Sequence, residues 1–262
     1  MDEQHSGEQP RTSSVARAAD VLMHFATRNA ATLGITEIAD ALGMSKAAVH
    51  RILTSLRSRE LISFDENSHR YSLGPMAMTL GLTYLARLDV RRLAAAELRE
   101  LSARTGETAT LSLRTGHNRV YVDQVTPRRE VIMSVSIGVP FPLHAGASSK
   151  AFLAFLSPEQ ITAYVQHRLA ALTADTVVES ARLRRELDVI RARGWAQTRG
   201  ERQPGAASVA APVCDHLGRP CAVLSVCGPA ERFEAGAPAA VRQLLAVTER
   251  LSNRLGHAAD PC

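Results

Sequence analysis

The sequence predicts an α+β protein of two domains, in which a small helical domain with a β-hairpin precedes a larger domain with a mostly antiparallel sheet. In residues 35–61 the apolar side chains recur every three or four positions, which is the period of amphipathic helices. From residue 109 they alternate with polar side chains, and strands then alternate with helices in unequal runs. A chain of 262 residues is long enough to form two hydrophobic cores.

Residues 35–61 are predicted to form two short helices joined by a turn of about three residues. Their apolar stripes are Ile35, Ile38, Ala39 and Leu42 in the first helix and Val49, Ile52, Leu53 and Leu56 in the second. We expect Thr36 to cap the first helix, Gly43 to end it in the left-handed conformation, and Ser45 to cap the second. Two such helices that share one small core make a helix-turn-helix.

The face of the second helix opposite its apolar stripe carries small and basic residues. These are Lys46, Ala47, His50, Arg51 and Thr54. Such a face suits entry into a DNA major groove, which is about 12 Å wide, and Arg57 and Arg59 extend the positive charge toward phosphates. The alternative is a helical hairpin whose basic face is only solvated.

Residues 61–73 predict a β-hairpin, because apolar residues alternate with polar ones on both sides of the break at 65–68. His69 and Arg70 lie near its tip, where they would contact a phosphate or the minor groove. A helix-turn-helix followed by such a hairpin is a winged helix, and this combination predicts DNA binding far more specifically than either part.

The boundaries of this winged helix-turn-helix domain are predicted at residues 13–75. A first helix, capped by Ser13 or Ser14 and with an apolar stripe from Val15 to Ala26, completes its core. Residues 1–12 are predicted to be a disordered polar arm that contains Arg11.

Residues 76–89 are predicted to form a linker helix that is apolar on nearly every side. A helix of this kind must be buried on all faces. We therefore expect it to pack against the same helix of a second subunit. The alternative is burial between the two domains of one chain.

Residues 90–262 are predicted to form the second domain. The alternating stretches predict strands at 109–113, 120–125, 131–137, 207–213 and 221–227, and the remaining pattern predicts helices at 90–105, 149–156, 158–167, 179–193 and 237–255.

Composition and charge exclude several classes of protein. Apolar residues make up 45% of the chain and charged residues 22%, as in ordinary globular proteins. No apolar run is long enough to span a bilayer and the N-terminus is polar, so we expect a cytoplasmic protein with no membrane partner. Although the net charge is +5, residues 1–75 hold eight Lys/Arg against nine Asp/Glu, so the DNA prediction rests on the local basic cluster.

The four cysteines do not predict a metal site or an oxidising compartment. Their positions, Cys214, Cys221, Cys227 and Cys262, do not have the spacing of zinc ligands, and His216 changes this little. No metal and no cofactor is predicted, and the cysteines are interpreted as buried small hydrophobic residues.

A second candidate site lies around residues 138–156. The free N–H groups of a helix that starts at Ser148 and Ser149 can hold a carboxylate without a charged side chain. Ser208 on one predicted strand, and Ser225 and Cys227 on another, interrupt otherwise apolar strands and suit a small pocket. For any single one of these residues, the alternative is that its small size only permits close sheet packing, and His144 is more simply a loop histidine.

The chain from Ser13 to Leu255 resembles the IclR family of transcription regulators. The resemblance rests on SVARAADVL, TEIADALGMSKAAVHRIL, RYSLGP, VYVDQV, PLHAGASSKAFLAFL, RGWAQ, PGAASVAAPV and AVLSVCGP, in the order of the family. It implies a winged helix joined to a GAF-like effector-binding domain, in homodimers that often pair into tetramers on operator DNA.

The resemblance also implies two sets of site residues. The DNA contacts fall on Ser45, Lys46, Ala47, His50 and Arg51, and the effector contacts fall on Gly146, Ala147, Ser148, Thr198, Ser208, Ser225 and Cys227. The chain departs from the family at Ala48, where Ser or Thr is usual, and at Ser149, where Gly is common. Near Thr198 only Glu201 remains of an acidic cluster and Arg199 is gained, which favours an anionic effector.

These patterns predict a DNA-binding transcription regulator, more simply a repressor than an activator, controlled by a small organic acid. An enzyme is the first alternative, and its candidate residues lie in no known motif. They are Asp123, His144, Cys214, His216, Cys221 and Cys227. The second alternative is an architectural DNA-binding protein, for which no small molecule would change DNA affinity.

Overall fold

The structure is a computed structural model that describes residues 13–28, 31–86 and 89–257. Its chain divides into two compact units, Met1–Arg87 and Leu88–Cys262. In the described residues no helix is both long and apolar enough to cross a membrane.

The described residues of the N-terminal unit form four helices and one hairpin. They are α1 (Ser14–Thr27), α2 (Ile35–Leu42), α3 (Lys46–Arg57), β1 (Ile62–Asp65), β2 (Arg70–Leu73) and α4 (Pro75–Ala86). The strands β1 and β2 pair antiparallel, with Phe64 opposite Tyr71. Helices α1 to α3 and β1 enclose one small core centred on Val21, Ile38 and Leu53. This arrangement is the predicted winged helix-turn-helix.

The helix ends of this unit follow the expected capping chemistry except in α2. Ser45 accepts the backbone N–H of Ala48, and Gly43 has φ +61°, as predicted. The prediction that Thr36 caps α2 was wrong, because the helix begins at Ile35. The backbone N–H of Gly34 instead donates to the carboxylate of Glu37, which closes the first turn.

The start of α1 also differs from the prediction. Ser13 caps the helix, but Val15 at the start of the predicted stripe is 77% exposed. Burial in α1 begins only with Val21 and continues at Phe25, where the helix packs on the core.

The C-terminal unit is an α+β domain built on one six-stranded sheet. Its elements are α5 (Asp89–Thr105), β3 (Thr108–Thr115), β4 (Asn118–Val125), β5 (Pro140–Pro142), α6 (Ala147–Ala154), α7 (Pro158–Gln166), α8 (Ser180–Arg193), β6 (Ala196–Arg199), β7 (Ala206–Cys214), β8 (Pro220–Pro229) and α9 (Ala230–Arg254). The strand order is β5-β4-β3-β8-β7-β6 and every pair is antiparallel. Helices α6, α7 and α8 share a core with the sheet residues Ala196, Ala210 and Val223.

The strand predicted at residues 131–137 was wrong. Only Ile137 makes a bridge, to Tyr121, and the edge strand is β5 instead. The side-chain amide of Gln124 accepts the N–H of Val135 and donates to its carbonyl, both at 3.0 Å. One side chain therefore takes the hydrogen bonds that a strand ladder would have used.

Two other element boundaries also differ from the prediction. Helix α9 begins at Ala230, not at residue 237, and continues through Pro238, because Phe233 and Ala237 are buried on its inner face. Strand β6, at the other edge of the sheet, was not predicted, since four residues give too short an alternation to recognise.

Candidate functional site

Helix α3 presents the predicted DNA-binding face to solvent. Its buried residues Val49, Leu53 and Leu56 face α1 and α2, which fixes the rotation of the helix. The opposite side is exposed at every position predicted for DNA contact: Ser45, Lys46, Ala47, His50, Arg51 and Thr54. Small and basic side chains along one exposed face of such a helix can reach the edges of base pairs in a major groove.

The β1–β2 hairpin, which is the wing of the winged helix, is joined to α2 by an ion pair. Arg70 donates to the Thr32 hydroxyl at 2.9 Å and to the Glu37 carboxylate at 2.8 Å, so its guanidinium ties β2 to α2. The Gly34 N–H and then Arg70 stabilise the ionised form of this carboxylate, which lowers the pKa of Glu37. His69 has φ +53° at the exposed tip. The DNA contacts assigned to His69 and Arg70 stay predictions.

A surface groove between α1 and α3 adds residues that the sequence did not suggest for DNA binding. Ser14 and Arg17 of α1 line it together with Arg51 and Ser55 of α3. Two guanidinium groups and two hydroxyls along one groove suit a DNA phosphate. Arg51 therefore belongs both to the exposed face of α3 that is predicted to contact bases and to the groove that suits a DNA phosphate.

The C-terminal unit contains a small cavity of about 20 Å³ at the N-terminus of α6. Six of the eight predicted effector residues line it: Gly146, Ala147, Ser148, Thr198, Ser208 and Cys227. The hydroxyls of Thr198 and Ser208 lie 3.3 Å apart in its wall. The structure thus brings together residues of α6, β6, β7 and β8 that are far apart in the sequence.

The other two predicted effector residues do not line the cavity. Ser149 is fully buried and accepts a hydrogen bond from Arg119 at 2.8 Å. The hydroxyl of Ser225 lies 2.6 Å from that of Thr110, within the sheet. Their structural partners are internal, and their assignment as effector contacts stays a prediction.

Arg119 is one of the cavity residues that sequence reasoning missed, as are Tyr121 and Arg202. Arg119 is 1% exposed and donates to Ser149 and to the Tyr121 hydroxyl, while its guanidinium lies 4.0 Å from the centre of the Tyr121 ring. Burial disfavours the charged form and lowers the pKa of Arg119. The sequence contained one sign that Arg119 is buried. It lies two residues before the buried Tyr121 in β4, and side chains two residues apart on a strand lie on the same face.

A buried ion-pair network supports the floor of the cavity. The ammonium of Lys150, itself 1% exposed, lies 2.5 Å from Glu201 and 2.6 Å from Glu186. The second oxygen of Glu201 accepts the N–H of Gly146 at the start of α6. Burial raises the pKa of Glu201 even though Lys150 attracts the ionised form. Glu201 therefore fixes the N-terminus of α6 relative to the loop after β6.

Arg199 does not have the position expected of an effector contact. Its side chain is exposed and pairs with Glu234 at 2.5 Å, and it does not line the cavity. It lies instead along a larger, open groove between α8 and β6, whose walls carry exposed charges of both signs. The smaller cavity, whose wall includes the buried polar residues Ser148, Thr198 and Arg119, is the better candidate for small-molecule binding.

Two of the candidate catalytic groups of this unit, Cys227 and His144, are accounted for by structural surroundings. Burial raises the pKa of the Cys227 thiol to about 11, so it is a neutral thiol at physiological pH and a poor nucleophile. The ring nitrogens of His144 lie 2.9 Å from the Tyr164 hydroxyl and from the carbonyl of Ala170. In the described part of the chain no group of His, Cys, Asp and Glu is arranged to hold a metal ion.

A helix-turn-helix with an exposed small and basic helix face, and a separate domain with a closed polar cavity, together define a DNA-binding protein with a ligand-sensing domain. Comparisons identify the family. The model of the IclR helix-turn-helix domain matches residues 14–66, and that of the bacterial transcriptional regulator IclR C-terminal domain matches residues 82–253. The chain belongs to the IclR family and is a DNA-binding transcription regulator.

Two relatives and one solved structure of the family are similar to this protein over most of its chain. The HTH-type transcriptional regulator Rv1719 of Mycobacterium tuberculosis is 36% identical over 84% of this chain and 83% of its own length. The transcriptional repressor IclR of Escherichia coli is 29% identical over 85% and 82%. The crystal structure of a putative regulator of the family from Silicibacter sp. TM1040 has a TM-score of 0.85 and 27% identity, and covers 95% of this chain and 98% of its own.

Proposed function

We propose that this regulator is a repressor whose affinity for operator DNA is controlled by a small organic acid. The acid binds in the cavity at the N-terminus of α6, here called the α6 cavity. The observation that carries the proposal is one chain with both an exposed basic helix face and a separate small cavity whose wall includes buried polar groups. A ligand that binds one arrangement of the chain better than another shifts DNA affinity by the difference. Repression is favoured because a protein that covers a promoter blocks it without further contacts.

The proposed DNA contacts are the exposed residues of α3 and the wing. Arg51 is central, because it continues the exposed face of α3 and also lines the groove toward Arg17. The full set is Ser45, Lys46, Ala47, His50, Arg51, Thr54, His69 and Arg70. The proposed effector contacts are Gly146, Ala147, Ser148, Ser149, Thr198, Ser208, Ser225 and Cys227, and for Ser149 and Ser225, which do not line the cavity, the proposal rests on the family resemblance alone.

The proposed assembly is a homodimer formed through α4, with pairing into tetramers as its extension. Met78, Leu80 and Leu82 of this helix are 64%, 58% and 52% exposed in the single chain. Apolar side chains exposed around most of one helix are typical of an interaction surface. The residue limits of the domains, 13–75, 76–89 and 90–262, remain proposals, as do a cytoplasmic site of action and the absence of enzymatic activity.

The test is a fluorescence-anisotropy titration with the DNA immediately upstream of the protein's own gene, using the full chain and its Arg51→Ala variant. The substitution should cost about 1–3 kcal/mol in binding, about a 5- to 150-fold loss of affinity, if Arg51 contacts a base. Arg185→Ala, which removes an equally exposed arginine of the C-terminal unit, is the matched control and should bind as the parent does.

Two features of the titration separate the alternatives. A loss that is equal on all DNA sequences, with a shallower dependence on salt, would make Arg51 a phosphate contact. No loss on any DNA would refute its place in the DNA-binding face. Organic acids added to the complex must change its affinity; an affinity that no acid changes would indicate a purely architectural protein.

A further inference from the structure

A pocket between α5 and α9 is separate from the α6 cavity and has no part in the proposed function. Its volume is about 220 Å³, against about 20 Å³ for the α6 cavity, and the two share no lining residue. Helix α5 contributes its last two residues, Arg104 and Thr105, and α9 contributes residues between Arg232 and Gln243. We call this site the α5–α9 pocket.

The base of the α5–α9 pocket is apolar. Phe233 and Ala240 of α9 line the pocket and are only 2% and 4% exposed. Gly236 and Ala239, which also line it, are exposed and too small to fill the space. A Cβ at Gly236 would meet no atom within 4 Å. The pocket therefore offers a small apolar surface that the hydrocarbon part of a ligand can cover.

Three arginines line the same pocket: Arg104, Arg129 and Arg232. Arg104 pairs with Glu100 at 2.8 Å, and Arg232 forms a two-pronged ion pair with Glu107 at 2.6 and 2.9 Å. Among the described residues no carboxylate forms an ion pair with Arg129. The wall thus offers one guanidinium that a ligand of opposite charge can bind.

Gly106 allows this guanidinium to lie at the end of α5. The glycine follows the last residue of the helix with φ +65°, and a Cβ built on it would lie 2.5 Å from a terminal nitrogen of Arg129. Arg129 can therefore lie against this position only because it has no side chain. The carbonyl end of α5 carries about half a negative charge, which favours a cation there but does not neutralise it.

The surroundings of the pocket do not supply the missing negative charge. On the adjoining faces of α5 and α9 two glutamates pair with three arginines, and these are Glu97 and Glu100 with Arg104, Arg250 and Arg254. Arg128 and Glu130, the sequence neighbours of Arg129, have opposite charges that cancel. The rim of the pocket therefore keeps a positive balance.

We propose that the α5–α9 pocket is a second small-molecule site, which binds a small organic monoanion. The negative group of the ligand pairs with Arg129, and its hydrocarbon part covers Phe233 and Ala240. Charge-assisted hydrogen bonds from the guanidinium orient the anion, and removal of the hydrocarbon part from water adds to the affinity. The site uses no residue of the α6 cavity, so it does not depend on the proposed control of DNA binding.

The experiment is saturation-transfer difference NMR on the full chain, with benzoate and hexanoate as probes and benzamide as the uncharged counterpart of benzoate. At least one carboxylate should bind saturably, and benzamide should bind more weakly than benzoate. Gly236→Leu places a side chain in the open space of the pocket and should weaken that binding about tenfold or more. Leucine favours a helix more than glycine does, so the variant keeps its fold. Ala235→Leu, exposed and outside the pocket, is the matched control and should bind as the parent does.

Arg129→Met tests the charge, and Arg128→Met, at an exposed neighbour that does not line the pocket, is its control. Because Arg129 is exposed and water screens its pairing, its loss should weaken carboxylate binding about two- to fivefold. Binding of benzamide should not change. The proposal is overturned if neither carboxylate binds saturably, if benzamide binds as tightly as benzoate, or if Gly236→Leu or Arg129→Met keeps the parental affinity.

Discussion

Replacement of Lys150 by methionine removes a buried cation that pairs with two carboxylates at once. The side chain of Glu201 is 10% exposed, so Lys150→Met leaves this carboxylate buried without a partner. Breaking a buried pair by removing one member costs about 3–5 kcal/mol. The side chain of Glu186 is 33% exposed, and water screens its pairing to about 0–1 kcal/mol. The expected loss in the free energy of unfolding is therefore about 3–5 kcal/mol, dominated by Glu201.

The loss should depend on pH in a defined direction. Burial already raises the pKa of Glu201, and removing Lys150 takes away the charge that favours its ionised form. In the variant the folded state therefore holds this proton more tightly than the unfolded state does. A group with a raised pKa in the folded state stabilises at low pH and loses that contribution as pH rises. The gap between variant and parent should be smaller at pH 5 than at pH 8.

The assay is urea unfolding followed by tryptophan fluorescence. The chain has one tryptophan, Trp195, which lies in the C-terminal unit beside β6 with the Arg193 guanidinium 3.8 Å from its ring centre. Its emission therefore reports on the unit that contains Lys150. The double variant Lys150→Met/Glu201→Gln, which removes both members of the pair, should recover part of the loss. A single-variant loss below about 1 kcal/mol, or a gap equal at both pH values, would refute the reasoning.

Two further predictions concern the N-terminal unit. Met78→Asp places a charge on the exposed face of α4 and should convert the proposed dimer to a monomer in light scattering; an unchanged mass would exclude α4 as the interface. Gly43→Ala puts a side chain at φ +61° with open space around it, so only the backbone penalty of about 1–2 kcal/mol should appear in unfolding followed by circular dichroism. No measurable loss there would mean that the turn between α2 and α3 relaxes to another conformation.

The sequence was most informative where local spacing decides the structure. Helices α2 and α3 follow from their apolar periods, and Ser45 and Gly43 mark the turn between them by chemistry that acts within a few residues. Thr36 failed as a cap because the helix already begins at Ile35, where the Glu37 carboxylate accepts the N–H of Gly34. The distinction depends on which side chain closes the first turn, and the residue pattern alone does not contain it.

The sequence was least informative where distant segments meet. The apolar alternation at 131–137 resembles a strand, but Gln124 takes its hydrogen bonds from eleven residues away. Arg119 was missed because its importance depends on burial beside Phe141 and Arg202, which only the folded sheet brings together. Arg199 was taken as a sign of an anionic effector because it lies next to Thr198 in the sequence. In the structure its side chain is exposed and pairs with Glu234.

The segment 131–137 covers one wall of the cavity with few backbone hydrogen bonds. Val135 packs on Tyr121 and Cys227, two residues of the cavity wall, so this segment covers the wall from behind. Two hydrogen bonds from Gln124 and one from the N–H of Gly138 to Tyr121 hold it, in place of a ladder. Local opening is cheapest where few backbone bonds must break. Local opening of this segment, which would uncover Tyr121 and Cys227, is therefore expected to need less free energy than opening of the neighbouring strands.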